Sequence, residues 1–174
     1  IKDASKEALG ELRSVLDVLR QDETAPLAPT AGLADLDGLA ERARGTGLEV
    51  RVERVNGDGR TVPAEDIIGG LPAGVDLAAF RIAQEALTNV VRHAEATLAT
   101  VRLRRTDDEL EVQVDDDGRG TTGASGGSEG ANASRGISGM RERALALGGT
   151  LEAGPRPGRG FRVRARFPLP RGAG

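Results

Sequence analysis

This chain of 174 residues has no cysteine, tryptophan or tyrosine, one histidine and three phenylalanines. Without cysteine there is no disulfide framework and no thiolate nucleophile, and a single histidine makes zinc a poor fit. An intracellular setting agrees with that composition. With aromatics so scarce, the core has to be built from Ala, Leu, Val and Ile. There is also no basic surplus: 24 Lys and Arg stand against 27 Asp and Glu, a net charge of −3. That balance argues against nucleic acid as the main partner, because binding a phosphate backbone normally shows as a basic excess or patch. No apolar run is long enough to cross a bilayer, and no signal-peptide pattern opens the chain. The first residues, IKDASKEALGELR, already read as the middle of a helix, so a membrane segment of a longer parent is expected to lie outside this chain.

What is present is organised around Arg81 to Ala96, RIAQEALTNVVRHAEA. Phe80, Ala83, Leu87, Val90, Val91 and Ala94 recur at helical spacing and predict one apolar face. Arg81, Glu85, Asn89 and then Arg92 or His93 follow one another a turn at a time on another side, so a carboxylate, an amide and a basic group form a stripe. Such a stripe is commonly a solvated face. An Asn in mid-helix, however, costs roughly half a kcal/mol or more against Ala and asks for a local reason. An amide oxygen beside a carboxylate suits magnesium, a hard ion that takes its other ligands from water and phosphates.

In chain order, Ala8, Leu9, Leu12, Val15, Leu16 and Leu19 predict a first amphipathic helix over Asp3 to Arg20 that needs a partner helix. The polar stretch QDETAPLAPT, residues 21–30, predicts a linker and a boundary near residue 30. Leu33, Leu36, Leu39, Ala40 and Ala43 predict a second helix, stopped by Gly45 and Gly47. Leu48 to Val55 alternates as a strand. Asn56 to Val75 reads as a long loop with one short helical turn. After the central helix, Leu98 to Arg105 and Glu109 to Asp115 predict an antiparallel hairpin. Thr121 to Arg135, rich in Gly, Ala and Ser, predicts a mobile segment of the lid kind. A further helix is marked by Ile137, Met140, Ala144, Leu145 and Leu147, and two closing strands, Thr150 to Ala153 and Gly160 to Phe167, flank a PRPGRG turn.

Two glycine-flanked loops carry candidate chemistry. Asp116, followed by Gly118 and Gly120, gives D-x-G-x-G at a strand end: the glycines allow close approach of a flat ligand, and a buried carboxylate can accept from an exocyclic amine such as that of adenine. The same pattern also makes ordinary surface turns. The second loop, RGISGMRERA, places Gly136 and Gly139 ahead of a predicted helix whose first amides could face phosphate.

Taken in order, QEALTN and RHA, then D-x-G-x-G after a hairpin, a polar lid, GxxGMRER and a G-R-G turn resemble the ATP-binding domain of sensor histidine kinases. More narrowly, the chain resembles the nitrate- and desaturase-sensor type. The resemblance implies an α/β two-layer sandwich, a mixed β-sheet covered on one side by helices, over residues 31–170. Residues 1–22 would be the second helix of a dimerisation hairpin, 23–30 a linker and 171–174 a tail. It further implies ATP and Mg2+ as cofactors, with Asn89 and Glu85 as catalytic and metal-holding pair. Arg92 and His93 would face phosphates and ribose, Asp116 the adenine amine, and Gly118, Gly120, Gly136 and Gly139 would bound the nucleotide. No P-loop pattern occurs, so phosphate binding would rest on the metal, the lid amides and basic groups.

The implied activity is transfer of the γ-phosphoryl to a histidine and then to a response-regulator aspartate. The implied partners are a regulator with a helix-turn-helix DNA-binding domain and a second copy of the full-length kinase. This part would be a cytoplasmic domain of a parent attached to the membrane, with no direct nucleic-acid binding. Three departures are visible: Phe161 stands where the family usually has Thr, so a phosphate-facing hydroxyl is missing; the segment from Thr61 to Leu71 is longer than usual; and the acceptor histidine has no counterpart, the chain starting after it. The alternatives are a stand-alone ATPase or anti-sigma-type serine kinase of the same fold, or a degenerate nucleotide-binding module serving only as an interaction platform.

Overall fold

The computed structural model describes residues 31–119 and 128–170, without the side chains of His93 and of residues 128–134. The expected first helix, the linker to residue 30, Gly120, the first part of the polar segment and the tail lie outside the described residues.

A 3-10 turn, Leu33–Asp35, leads into α1, Leu36–Arg44. Leu36, Leu39, Ala40 and Ala43 are buried at the predicted helical period, and the chain leaves the helix at Gly45. Strand β1, Glu49–Asn56, follows. The expected long loop then resolves into the short helix α2, Ala64–Ile68, and the start of α3, Ala73–Asn89. The central helix therefore begins eight residues before Arg81. Pro72 precedes its first residue and Asp76 lies in its first turn, both favourable at a helix N-terminus. Asp76 also accepts from the Leu33 N–H at 2.9 Å, tying the first turn of the domain to the central helix.

Strands β2, Leu98–Arg105, and β3, Glu109–Asp116, form the expected hairpin. Helix α4, Ser128–Ala146, leads to β4, Thr150–Pro155, and β5, Phe161–Pro168. The five strands make one mixed sheet in the order β1-β2-β3-β5-β4, parallel only between β1 and β2. A parallel pair needs a crossover, and α2 with α3 supplies it.

The period of two divides the sheet into two unlike faces. Ala99, Val101 and Leu103 of β2, Leu110, Val112 and Val114 of β3, and Val163, Ala165 and Phe167 of β5 are buried under the helices. On the other face, Asp115 pairs with Arg162, Glu111 with Arg166, Glu152 with Arg164 and Glu53 with Arg102. These pairs, with Asp115 and Glu111 half-buried, keep the uncovered face polar. Of the three phenylalanines, Phe80 and Phe167 are wholly buried. Central α3 is buried around most of its circumference, because it packs on the sheet and also on α1 and α4. Sequence periodicity showed one apolar face; packing adds a second and takes in Gln84 and Thr88.

Candidate functional site

Three consecutive aspartates at the end of β3 meet three environments. Asp115 points to the polar face, where Arg162 grips it with two bonds of 2.7 Å. Asp117, past the strand, accepts from the N–H groups of Thr97 and Leu98 and from the Thr97 hydroxyl, closing the entry to β2. The Thr97 hydroxyl above all holds the Asp117 carboxyl below its ordinary range.

Asp116 takes the inward phase of the strand and is only 4% exposed. Its Oδ1 accepts from the N–H of Gly118 at 2.7 Å and of Phe161 at 3.3 Å, and Oδ2 takes part in neither bond. Burial pushes this carboxyl above its ordinary range, although those two amides pull the other way. A buried carboxylate with one oxygen anchored and, among the described residues, the other without a bond is an acceptor suited to an N–H donor.

The loop carrying Asp116 is pressed against the end of the central helix. After Asn89 the α-helix widens into a π-turn, Val90–Ala94, and Glu95 ends it in the left-handed region at φ 46°. The carbonyl oxygen of Ala94 accepts from the Arg119 N–H at 2.9 Å. A Cβ at Gly118 would lie 2.1 Å from that same oxygen, so only glycine permits the approach. Gly160, at φ +92°, closes in from the β4–β5 turn, where a Cβ would lie 1.8 Å from the Asp116 carbonyl oxygen. The position of Phe161, expected to face phosphate, thus meets the aspartate through its backbone.

Glu85 and Asn89 lie one turn apart on α3, both half-buried, and face the same neighbour: a Cβ at Gly136 would stand 2.5 Å from Glu85 Oε1 and 3.4 Å from the Asn89 amide nitrogen. The stripe read from the sequence is real for these two, and Arg92 lies exposed in the π-turn beyond them. Asn89 is the last residue with α-helical bonding but lies inside a helical run that continues through the π-turn to Ala94, so the cost of an Asn within a helix stands. Two expectations need correction. Gly136 and Gly139 lie inside α4, not before it, so their amides belong to the helix ladder and are not free first-turn donors. The segment read as a lid up to Arg135 is helical from Ser128. The His93 side chain and Gly120 lie outside the described residues.

Sequence reasoning missed the π-turn, for which no pattern exists, and the two arginines of the β4–β5 turn. Arg156 Nη1 donates to the Asp116 carbonyl at 2.9 Å, and Arg159 Nε to the Gly118 carbonyl at 3.2 Å. The PRPGRG run had signalled only a turn.

A helix carrying an acid and an amide lies over a mixed sheet that has a buried aspartate at its end. The sequence pattern of the histidine kinase-, DNA gyrase B- and HSP90-like ATPases matches residues 74–171. The chain belongs to this family. It is 37% identical over 99 residues to the sensor protein VraS of Staphylococcus aureus (strain COL), covering 57% of this chain and 27% of that protein. The VraS of Staphylococcus haemolyticus is 37% identical over 101 residues, covering 58% of this chain and 28% of that protein. The chain thus spans about a quarter of the length of these relatives. Among solved structures, the histidine kinase domain of the Erythrobacter litoralis EL346 blue-light activated histidine kinase superposes with a TM-score of 0.52 at 23% identity, over 93% of this chain and 75% of that one. This likeness shows a shared fold. No described helix is long and apolar enough to cross a membrane.

Proposed function

We propose that this chain is the ATP-binding catalytic part of a two-component sensor histidine kinase, of the nitrate- and desaturase-sensor type. The observation that carries the reading is the buried Asp116 carboxylate with one oxygen fixed by two amides, at the end of the sheet where the helix bearing Glu85 and Asn89 terminates. Adenine offers an exocyclic amine to such an acceptor, whereas guanine offers a carbonyl oxygen that a carboxylate repels.

In this reading Asp116 takes the adenine amine, and Gly118, Gly120, Gly136 and Gly139 bound the nucleotide. Arg92 and His93 serve phosphates and ribose. Glu85 and Asn89 fit a magnesium ion: both are oxygen donors, both face the Gly136 backbone, and no cluster of three or more acidic, His or Cys residues that could build a closed protein cage occurs among the described residues. Held there with ATP, such an ion would supply neutralisation of charge on the transferred phosphoryl group. Asn89 would hold it, and Glu85 would orient its water shell. Most of the remaining chemistry is positioning.

The acceptor is a histidine of the full-length kinase, and a response regulator with a helix-turn-helix domain receives the phosphoryl next. The parent pairs as a homodimer and is attached to the membrane, with this domain on the cytoplasmic side. His93 follows Asn89 within the same helical segment and is assigned to the nucleotide, not to the acceptor role. Incubation with γ-labelled ATP tests this: the chain should bind ATP without labelling itself, and should slowly label a supplied dimerisation domain, tethering being lost. An acid-labile label on the chain that vanishes in His93→Ala would make His93 an acceptor. An acid-stable label on a supplied protein would favour a serine kinase of the same fold.

A further inference from the structure

The β3 ladder to β5 ends at the pair Asp115 and Arg162, while the ladder to β2 runs one residue further, to Asp116 and Ala99. The Asp116 carbonyl therefore lies beyond the last β5 partner on the side that Gly160 approaches. Arg156 fills the gap with its 2.9 Å bond to that oxygen. Its own backbone N–H donates to the Gly160 carbonyl at 2.9 Å, so the turn that carries it is closed on itself. Arg156 Nε also stands 3.7 Å from Asp115 Oδ2, but Arg162 already holds both oxygens of that carboxylate. The contact that distinguishes Arg156 from Arg162 is the one to the Asp116 peptide.

We infer that Arg156 is a positioning residue for base selection, which fixes the Asp116 peptide so that Oδ1 stays on the Gly118 and Phe161 amides and Oδ2 is presented to an exocyclic amine. This rests on the reading of Asp116 as the adenine acceptor. Without the guanidinium, the peptide at the end of the ladder loses the Arg156 donor, and the carboxylate direction rests on the Gly118 and Phe161 amides. The turn is at the surface and Arg156 is about one-third exposed, 34%, so its removal leaves the core untouched.

The experiment compares ATP with purine riboside triphosphate, which lacks the exocyclic amine, by calorimetric titration of the whole chain, alongside melting temperature. Wild type should prefer ATP by about tenfold, the worth of one hydrogen bond. In Arg156→Ala the preference should shrink to near unity through weaker ATP binding, with the affinity for the amine-free nucleotide and the melting temperature little changed. Arg156→Lys, which keeps one donor within reach, should restore most of the preference. An Arg156→Ala protein that weakens both nucleotides by one factor, or neither, overturns the inference and leaves the Asp116 reading standing. A wild type that binds both nucleotides equally overturns the Asp116 reading itself, and the inference with it.

Discussion

The hairpin of β2 and β3 has two ends, built from similar residues and put to different uses. At the turn, Thr106 and Asp108 bond to one another, the Thr106 hydroxyl accepts from the Glu109 N–H at 3.1 Å, and the group stands largely in water. A concavity of about 740 Å³ opens there, lined by Gly70, Pro72, Arg105, Asp107 and Leu169 among others, and a second of about 430 Å³ adjoins Asn56 and Asp66. Arg105 between them is spent on the carbonyls of Ile67 and Gly69. At the opposite end Asp116 is buried, and its loop is clasped by glycine contacts on two sides. Space alone does not make a recognition site. A largely buried carboxylate held by fixed donors can, because its direction is set before the ligand arrives.

The sharpest way to break this contrast is to add one methyl group at each end. Gly160→Ala sets a Cβ into the Asp116 carbonyl at a backbone φ of +92°. It should cost about 3 kcal/mol or more, lowering the melting temperature by many degrees and removing nucleotide binding. Gly59→Ala also stands at positive φ, +77°, but meets nothing within 4 Å, so it should cost only about 1 kcal/mol and spare binding. Equal losses at the two positions would deny that the site end is the tightly fitted one.

Next in size, Asp116→Asn should cost about 2 kcal/mol of ATP affinity by calorimetry, with GTP poor in either protein. Asp108→Asn at the other end should change neither. Equal wild-type binding of ATP and GTP would sink the adenine assignment. Asn89→Ala should remove chiefly the magnesium-dependent part of the affinity, so that it and wild type bind nearly alike in EDTA. A variant that keeps the whole magnesium effect would move the ion elsewhere.

The smallest effect is read in pH. Burial raises the folded pKa of Asp116 above its ordinary 3.8, so the folded state binds more protons there, and stability from this group declines as pH rises from about 3.8 through the raised value. Asp117 runs oppositely: its pKa is lowered, so its contribution is full above 3.8 and is lost as pH falls through the folded value. Melting temperature near neutral pH should therefore hold or rise slightly in Asp116→Asn and fall in Asp117→Asn. A fall in the first would mean that the ionised aspartate holds the apo fold together.

Much of the architecture could be read from local pattern. The strands β2 and β3 were placed to within a residue by alternation, and α1 by its leucines and closing glycines, because period and turn chemistry act over neighbouring residues. Glu85 and Asn89 were legible as one stripe for the same reason, and Asp116 stood out through its glycines. The N-terminus of α3 was not, because Ala73 to Phe80 follows a Gly- and Pro-rich stretch, and its helical state is sustained by burial against the sheet, α1 and α4. Nor were the continuation of α4 back to Ser128, the π-turn after Asn89, or the arginines that clasp the Asp116 loop. Sequence determined which residue types were available and on which face each would lie. Which of three adjacent aspartates became the buried acceptor follows from strand phase, and its Gly118 donor is local, but the Phe161 amide and the Arg156 bond come from 45 and 40 residues away, and only tertiary packing brings those together.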